Sequence, residues 1–125
     1  MTAQPWTIDF DASLHEADRL MREHQIRHLP VLEDGNLVGV VSERDLRLLE
    51  AADGTAASSS PVHRAMTERP FLVTADTALD EVAAIMGEHK YGSVIVMGHD
   101  GVEGIFTAVD ACRALAEILQ QHRLD

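Results

Sequence analysis

Shifted by 65 residues, the sequence falls on itself without a gap. Met1-Thr2 meets Met66-Thr67, Pro5 meets Pro70, Asp11 meets Asp76, Leu14 meets Leu79 and Glu16 meets Glu81. Further along, Met21 meets Met86, Glu23-His24 meets Glu88-His89, Val31 meets Val96, Gly39 meets Gly104 and Asp45 meets Asp110. Conservative pairs fill the intervals: Leu20/Ile85, Leu32/Met97, Val40/Ile105 and Ser42/Thr107. Agreement at this density is the mark of two copies of one supersecondary unit, and any reading of one copy must also hold for the other.

Each copy reads as β-α-β-β-α. A short apolar strand comes first, Trp6 to Ile8 or Phe71 to Val73. The first helix then shows a single apolar stripe: Leu14, Ala17, Leu20 and Met21, or Leu79, Val82, Ile85 and Met86. Ser13 with Glu16, and Thr77 with Asp80, have the spacing of helix starts. Two strands follow, Leu29 to Leu32 and Leu37 to Val41, or Val94 to Met97 and Val102 to Phe106. The stretches between them, 33–36 and 98–101, carry the Gly, Asp and Asn that hairpin turns require. A last helix closes each copy, with Leu46, Leu48 and Leu49 as its apolar face, or Ala108, Ala111, Cys112, Leu115 and Leu119. The expected fold is α/β (α+β), with a first repeat over 1–52, a linker over 53–60 and a second repeat over 61–125. The linker has no large apolar residue and reads as a flexible surface connection, and Ser60-Pro61 reads as the N-cap and first position of a short helix over 61–66.

Composition bounds the function. A length of 125 residues can bury one core, and 46% hydrophobic with 25% charged residues is ordinary for a globular chain. The formal charge of −11 argues against nucleic acid as a partner, which needs a basic footprint. No apolar run approaches the roughly 20 residues of a membrane span, and Met1-Thr2-Ala3-Gln4-Pro5 lacks the basic and apolar regions of a secretory signal. A cytoplasmic location is the resulting expectation. The single Cys112 forms neither an internal disulfide nor a thiolate cluster.

Chemistry concentrates where the third strand of each copy runs into its last helix. These stretches are Gly39-Val40-Val41-Ser42-Glu43-Arg44-Asp45 and Gly104-Ile105-Phe106-Thr107-Ala108-Val109-Asp110. Gly, two apolar residues, a hydroxyl residue, two variable residues and Asp place a hydroxyl and a carboxylate at a helix N-terminus, where free N–H groups and the dipole favour an anion. The same spacing is that of a capping box, which needs no ligand, so spacing alone leaves both explanations open.

This tandem unit, with its duplicated Gly-apolar-apolar-Ser/Thr-x-x-Asp, resembles the CBS domain pair, or Bateman module. Met66-Thr67-x-x-Pro70 and Ile26-Arg27-His28-Leu29-Pro30-Val31 are further marks of the resemblance, which covers nearly the whole chain and points to a stand-alone bacterial CBS-domain protein. The second copy departs from the pattern: Gly92-Ser93-Val94-Ile95-Val96 has neither the Arg nor the Pro. The resemblance implies two repeats packed through their sheets about a pseudo-twofold axis, a homodimer formed through the helices, and an adenosyl ligand in the cleft between the repeats. That ligand would be AMP, ADP, ATP or S-adenosylmethionine. It implies that Asp45 and Asp110 hold ribose hydroxyls, that Ser42 and Thr107 lie near phosphate, and that Arg27 meets a phosphate. His28 and Arg44 are further candidates beside them. An alternative is a ligand-free dimer that docks to a partner protein.

Catalytic and metal roles find no support. There is no P-loop, no Gly-x-Gly-x-x-Gly and no nucleophile elbow, and the chain reads as a non-enzyme. Of the seven histidines only His24 and His28 have the His-x-x-x-His spacing, and no cysteine or third histidine lies beside them in sequence to complete a metal set. His24 and His89 recur near helix C-termini, where an imidazole complements the dipole. Trp6 and Phe71 are equivalent aromatic residues expected to pack, or to lie near an adenine.

Overall fold

Local chemistry sets the elements, and it sets them twice. The computed structural model describes residues 2–3, 5–68 and 70–123. In chain order the strands are β1 (Thr2–Ala3), β2 (Ile8–Asp9), β3 (His28–Glu33), β4 (Asn36–Ser42), β5 (Thr67–Glu68), β6 (Leu72–Thr74), β7 (Ser93–Gly98) and β8 (Gly101–Thr107). The α-helices are α1 (Leu14–His24), α2 (Glu43–Asp53), α3 (Leu79–His89) and α4 (Ala108–Gln121). Two 3-10 helices, Gly54–Ser59 and Val62–Arg64, lie between the copies. The result is a mixed α+β chain with two small sheets and four α-helices.

Helix α1 starts at Ser13, whose hydroxyl accepts from the Glu16 N–H at 3.1 Å. The Glu16 carboxylate does not return to close the box; it binds Arg19 instead. Helix α3 differs from expectation. Its N-cap is Ala78, and Thr77 accepts from the Thr74 N–H rather than capping the helix. Both helices end on a left-handed residue, Gln25 (φ 54) and Lys90 (φ 60), as helix C-termini commonly do. The two hairpins each have two-residue loops. Asp34-Gly35 carries positive φ at both positions, as a type I′ turn demands, whereas the second hairpin puts its left-handed residue at Gly101 (φ 114).

Two units result, one of Pro5–Pro70 and one joining the β1 segment to the chain from Phe71 onward. The first holds the sheet β2-β3-β4-β5 and the second the sheet β1-β8-β7-β6. β5 pairs Gly39 with Glu68, and β1 pairs Gly104 with Ala3, at positions 65 apart. Each sheet therefore ends in a strand that sequence order places at the head of the other repeat. The sequence does not show this exchange. It explains Gly39: a Cβ there would come within 2.7 Å of the Met66 sulfur and 2.8 Å of the Thr67 carbonyl.

In the first unit α1 and α2 cover the sheet. Leu14, Ala17, Met21 and Leu46 pack with Ile8, Leu29, Val31, Val41 and Val62. In the second, Val82, Met86, Val94 and Phe106 form a smaller core. Segment 53–60 is more structured than a flexible connection: it forms a 3-10 helix whose Ala57 is fully buried. The expected helix over 61–66 shrinks to Val62–Arg64, with Pro61 rather than Ser60 at its N-cap. Ser60 is buried and accepts a bond from Arg64. Two apolar faces are partly or wholly open. Leu48 of α2 is exposed, and α4 buries none of its residues, leaving Leu115, Ile118 and Leu119 at least half exposed.

Candidate functional site

The last strand of each hairpin delivers its hydroxyl residue directly to a helix start. Ser42 caps α2 with extended backbone (φ −112, ψ 163), and Thr107 caps α4 in the same way (φ −112, ψ 168). The Ser42 hydroxyl accepts from the Asp45 N–H at 3.1 Å, and the Asp45 carboxylate accepts from the Ser42 N–H at 2.8 Å. Thr107 and Asp110 repeat the pair at 3.2 and 2.9 Å, with the Thr107 hydroxyl also donating to Asp110 at 3.1 Å. Both motifs are therefore complete capping boxes, worth about 1 kcal/mol each.

Capping does not use up the carboxylates. Each bond that these carboxylates accept falls on Oδ2, in Asp45 and in Asp110 alike. A carboxylate has about four acceptor sites, so Oδ1 keeps the capacity to accept from vicinal hydroxyls. Capping and ligand binding are thus compatible functions of one side chain.

The other candidates in the first unit gather around the same helix start. The Arg27 carbonyl accepts from the Glu43 N–H at 2.9 Å. His28 stands opposite Ser42 in the strand register. Arg27 and Arg44 are exposed, and Asp45, Ser42 and His28 are half-buried. These contacts take the N–H groups of Glu43 and Asp45, so among the first three helical positions Arg44 has the amide that they leave over. In the second unit the Gly92 carbonyl accepts from the Ala108 N–H at 3.0 Å, and Ser93 stands opposite Thr107. The backbone frames match, and the side chains on them do not.

Outside the motifs, Trp6 is 51% exposed and stacks on His24, with centroids 3.7 Å apart. Phe71 stacks on Tyr91 at 5.4 Å, and His89 on Tyr91 at 5.3 Å. The first copy thus stacks its aromatic residue directly on the histidine, whereas in the second Tyr91, whose counterpart is Ile26, stacks on both Phe71 and His89. Asp11 has its pKa raised by a hydrogen bond that its protonated form makes to the Asp9 carboxylate and by that neighbour's charge, opposed in part by His63. Asp9 and Asp11 lie at the approach to α1, on the other side of the first repeat's sequence from its motif. A cavity of about 50 Å³ lined by Leu14, His15, Asp18, Leu46, Glu50, Ala57 and Ser58 lies between α1, α2 and the first 3-10 helix. It falls far below the roughly 300 Å³ of a small-molecule site. Arg47 bridges Asp18 and Glu50 beside it, a contact between helices that the sequence does not signal. Among the described residues no group of three or more His, Cys, Asp or Glu is placed to hold a metal ion, and no helix is long and apolar enough to cross a membrane.

Comparison with known proteins places these motifs in a family. The CBS domain family matches residues 1–51 and 62–117. The CBS domain-containing protein YhcV of Bacillus subtilis is 26% identical over 110 residues, covering 88% of this chain and 78% of its own. Of solved structures, CBSX2 in complex with AMP is 29% identical with a TM-score of 0.79, covering 94% of this chain and 93% of that one. The CBS domain pair of protein MJ0100, in complex with 5'-methylthioadenosine and S-adenosyl-L-methionine, is 26% identical with the same TM-score and the same coverage. The chain also matches an inosine-5'-monophosphate dehydrogenase of Staphylococcus haemolyticus at 32% identity, but it spans only 22% of that protein's length. With two matched repeats, two duplicated motifs and a shared fold, the chain belongs to the CBS domain family, as a tandem pair.

Proposed function

We propose that this chain is a regulatory module that binds an adenosyl ligand, AMP, ADP, ATP or S-adenosylmethionine, at its Ser/Thr-x-x-Asp motifs. The observation that carries the reading is the half-used carboxylate. Asp45 and Asp110 are fixed by their capping bonds through Oδ2 and keep Oδ1 for a ribose. A carboxylate held rigid before the ligand arrives loses little entropy on binding, and it accepts from two vicinal hydroxyls in a geometry that other acceptors do not match. In the first unit Arg27 and Arg44 stand at the same helix start, where a guanidinium and a free amide suit a phosphate. That CBSX2 was solved with AMP, and the MJ0100 pair with 5'-methylthioadenosine and S-adenosyl-L-methionine, supports the ligand class.

Regulation in this reading is binding without turnover: a ligand shifts the chain, or its association, only by its preference for one state over another. The outward leucines of α4 support association with a second copy as part of the same reading. A protein target is the natural recipient of such a signal. The test is a thermal-shift series with AMP, ADP, ATP and S-adenosylmethionine. A ligand at a hundred times its dissociation constant adds about 2.7 kcal/mol of stability, and one of the four is expected to raise the melting temperature accordingly. No rise with any of them at millimolar concentration would overturn the reading in favour of a ligand-free docking dimer.

A further inference from the structure

We propose that the two motifs take different members of one ligand class. The Ser42/Asp45 motif takes an adenosyl compound that carries a phosphate, and the Thr107/Asp110 motif takes one that does not. This rests on the adenosyl-binding reading and assigns the ligand class at each of its two sites.

Three positions around each helix start set the two motifs apart. In the first unit these are Arg27, whose carbonyl receives the first helical N–H, His28, opposite the capping serine, and Arg44, in the first turn. In the second unit the same three places hold Gly92, Ser93 and Val109. The backbone bonds that define the places agree within 0.1 Å, at 2.9 and 3.0 Å, so the comparison is between like positions. Two guanidinium groups and an imidazole in one unit become a hydrogen, a hydroxyl and an isopropyl group in the other.

Phosphate needs those groups. Seating a dianion next to an aspartate costs free energy unless cations and fork-like donors offset it. At the α2 start, Arg27 and Arg44 balance Glu43 and Asp45 and supply such forks. At the α4 start, Asp110 keeps its charge with no guanidinium at any of the three places. The cations closest in sequence are Lys90, which is the C-cap of α3, and Arg113, one turn further into α4. Val109 is 48% exposed and presents an apolar edge at this helix start. That edge suits the sulfur or carbon substituent of a phosphate-free adenosyl compound, whose ribose Asp110 would still hold.

The experiment is isothermal titration of the full chain with two probes, AMP and adenosine. Asparagine is the substitution of choice, because it keeps one side-chain oxygen for the cap and replaces the other with an amide. Asp45→Asn is expected to weaken AMP binding by about tenfold or more and to leave adenosine binding within about twofold. Asp110→Asn is expected to do the reverse. The double variant Arg27→Gln/Arg44→Gln is expected to weaken AMP binding to a similar degree and leave adenosine unchanged. Circular dichroism melts verify that each variant is folded. If Asp110→Asn weakens AMP as much as Asp45→Asn does, or if the arginine double variant binds AMP like the wild type, this inference is wrong while the adenosyl reading stands. If neither probe binds the wild type at millimolar concentration, this inference fails, and the adenosyl reading fails with it only if ADP, ATP and S-adenosylmethionine give no thermal shift either.

Discussion

The two repeats share one blueprint and diverge in what they do with it. Both end their hairpin in a complete capping box, both bulge at the same place (Val31/Leu32 and Val96/Met97), and both close their first helix on a left-handed residue. The last helices then part ways. Leu46 of α2 is fully buried, and its counterpart in α4 is Ala111. Leu49 faces the first core, and its counterpart is Ala114. On the outer side the exchange runs the other way, with Glu50 and Asp53 becoming Leu115 and Ile118. Helix α2 therefore puts its large apolar residues inward and charges outward, while α4 puts small residues inward and large apolar residues outward. The first unit also gains Val62 in its core and buries Ala57, both from the connecting segment, and it holds the ion pairs of Arg19, Arg22, Arg47 and Arg64. The lesson is that repetition fixes the backbone frame, and substitution on that frame divides the labour: a closed, well-packed half and a half with an open helix.

The largest effect expected from this contrast is in the first core. Leu46→Ala should lower the stability to chemical denaturation by about 3 kcal/mol, since it leaves a cavity among α1, β3 and β4 residues. A loss below about 1 kcal/mol would mean that the first half is not the better packed one. Gly39→Ala comes next, at about 1–3 kcal/mol, because the added methyl meets the Met66 sulfur and the Thr67 backbone where β5 joins the sheet. Hydrogen exchange at Val40 and Thr67 would report whether that pairing is what gives way. Removing the caps should treat the halves alike: Ser42→Ala and Thr107→Ala are each expected to cost about 1 kcal/mol. Unequal losses would break the equivalence of the two helix starts on which the ligand comparison depends. The smallest effect on folding belongs to α4. Leu115→Ala with Leu119→Ala should change the unfolding free energy by no more than about 0.5 kcal/mol per site, yet sedimentation equilibrium should show weaker self-association. Unchanged association would remove the outer face of α4 from the interface.

Much of this was legible in the sequence for physical reasons that can be named. The 65-residue register, the apolar stripe of α1 and the turn residues Asp34-Gly35 all act locally, and local signals survive in sequence. The sites were legible as residue types, since a hydroxyl followed three places later by Asp is both a cap and a ligand pattern. What the sequence does not carry is pairing at a distance. The exchange of β1 and β5 depends on strands of two residues, too short for any periodicity. The bulge at Val31/Leu32 shifts the ladder by one residue and puts His28, not Arg27, opposite Ser42. What the face of α4 meets is not legible either, because an apolar stripe at helical spacing looks the same whether it packs on the chain's own core or lies open. Likewise Thr77 lost the cap of α3 to Ala78 because its hydroxyl was already engaged by the Thr74 backbone.

In the function proposed, carboxylates half-used in capping bind ribose with their free oxygen. Its most direct test is the titration of AMP and S-adenosylmethionine into the wild type and the Asp45→Asn/Asp110→Asn double variant. Binding is expected in the wild type and none in the double variant, with the two proteins melting within a few degrees of each other. Binding of equal strength in both proteins would contradict it.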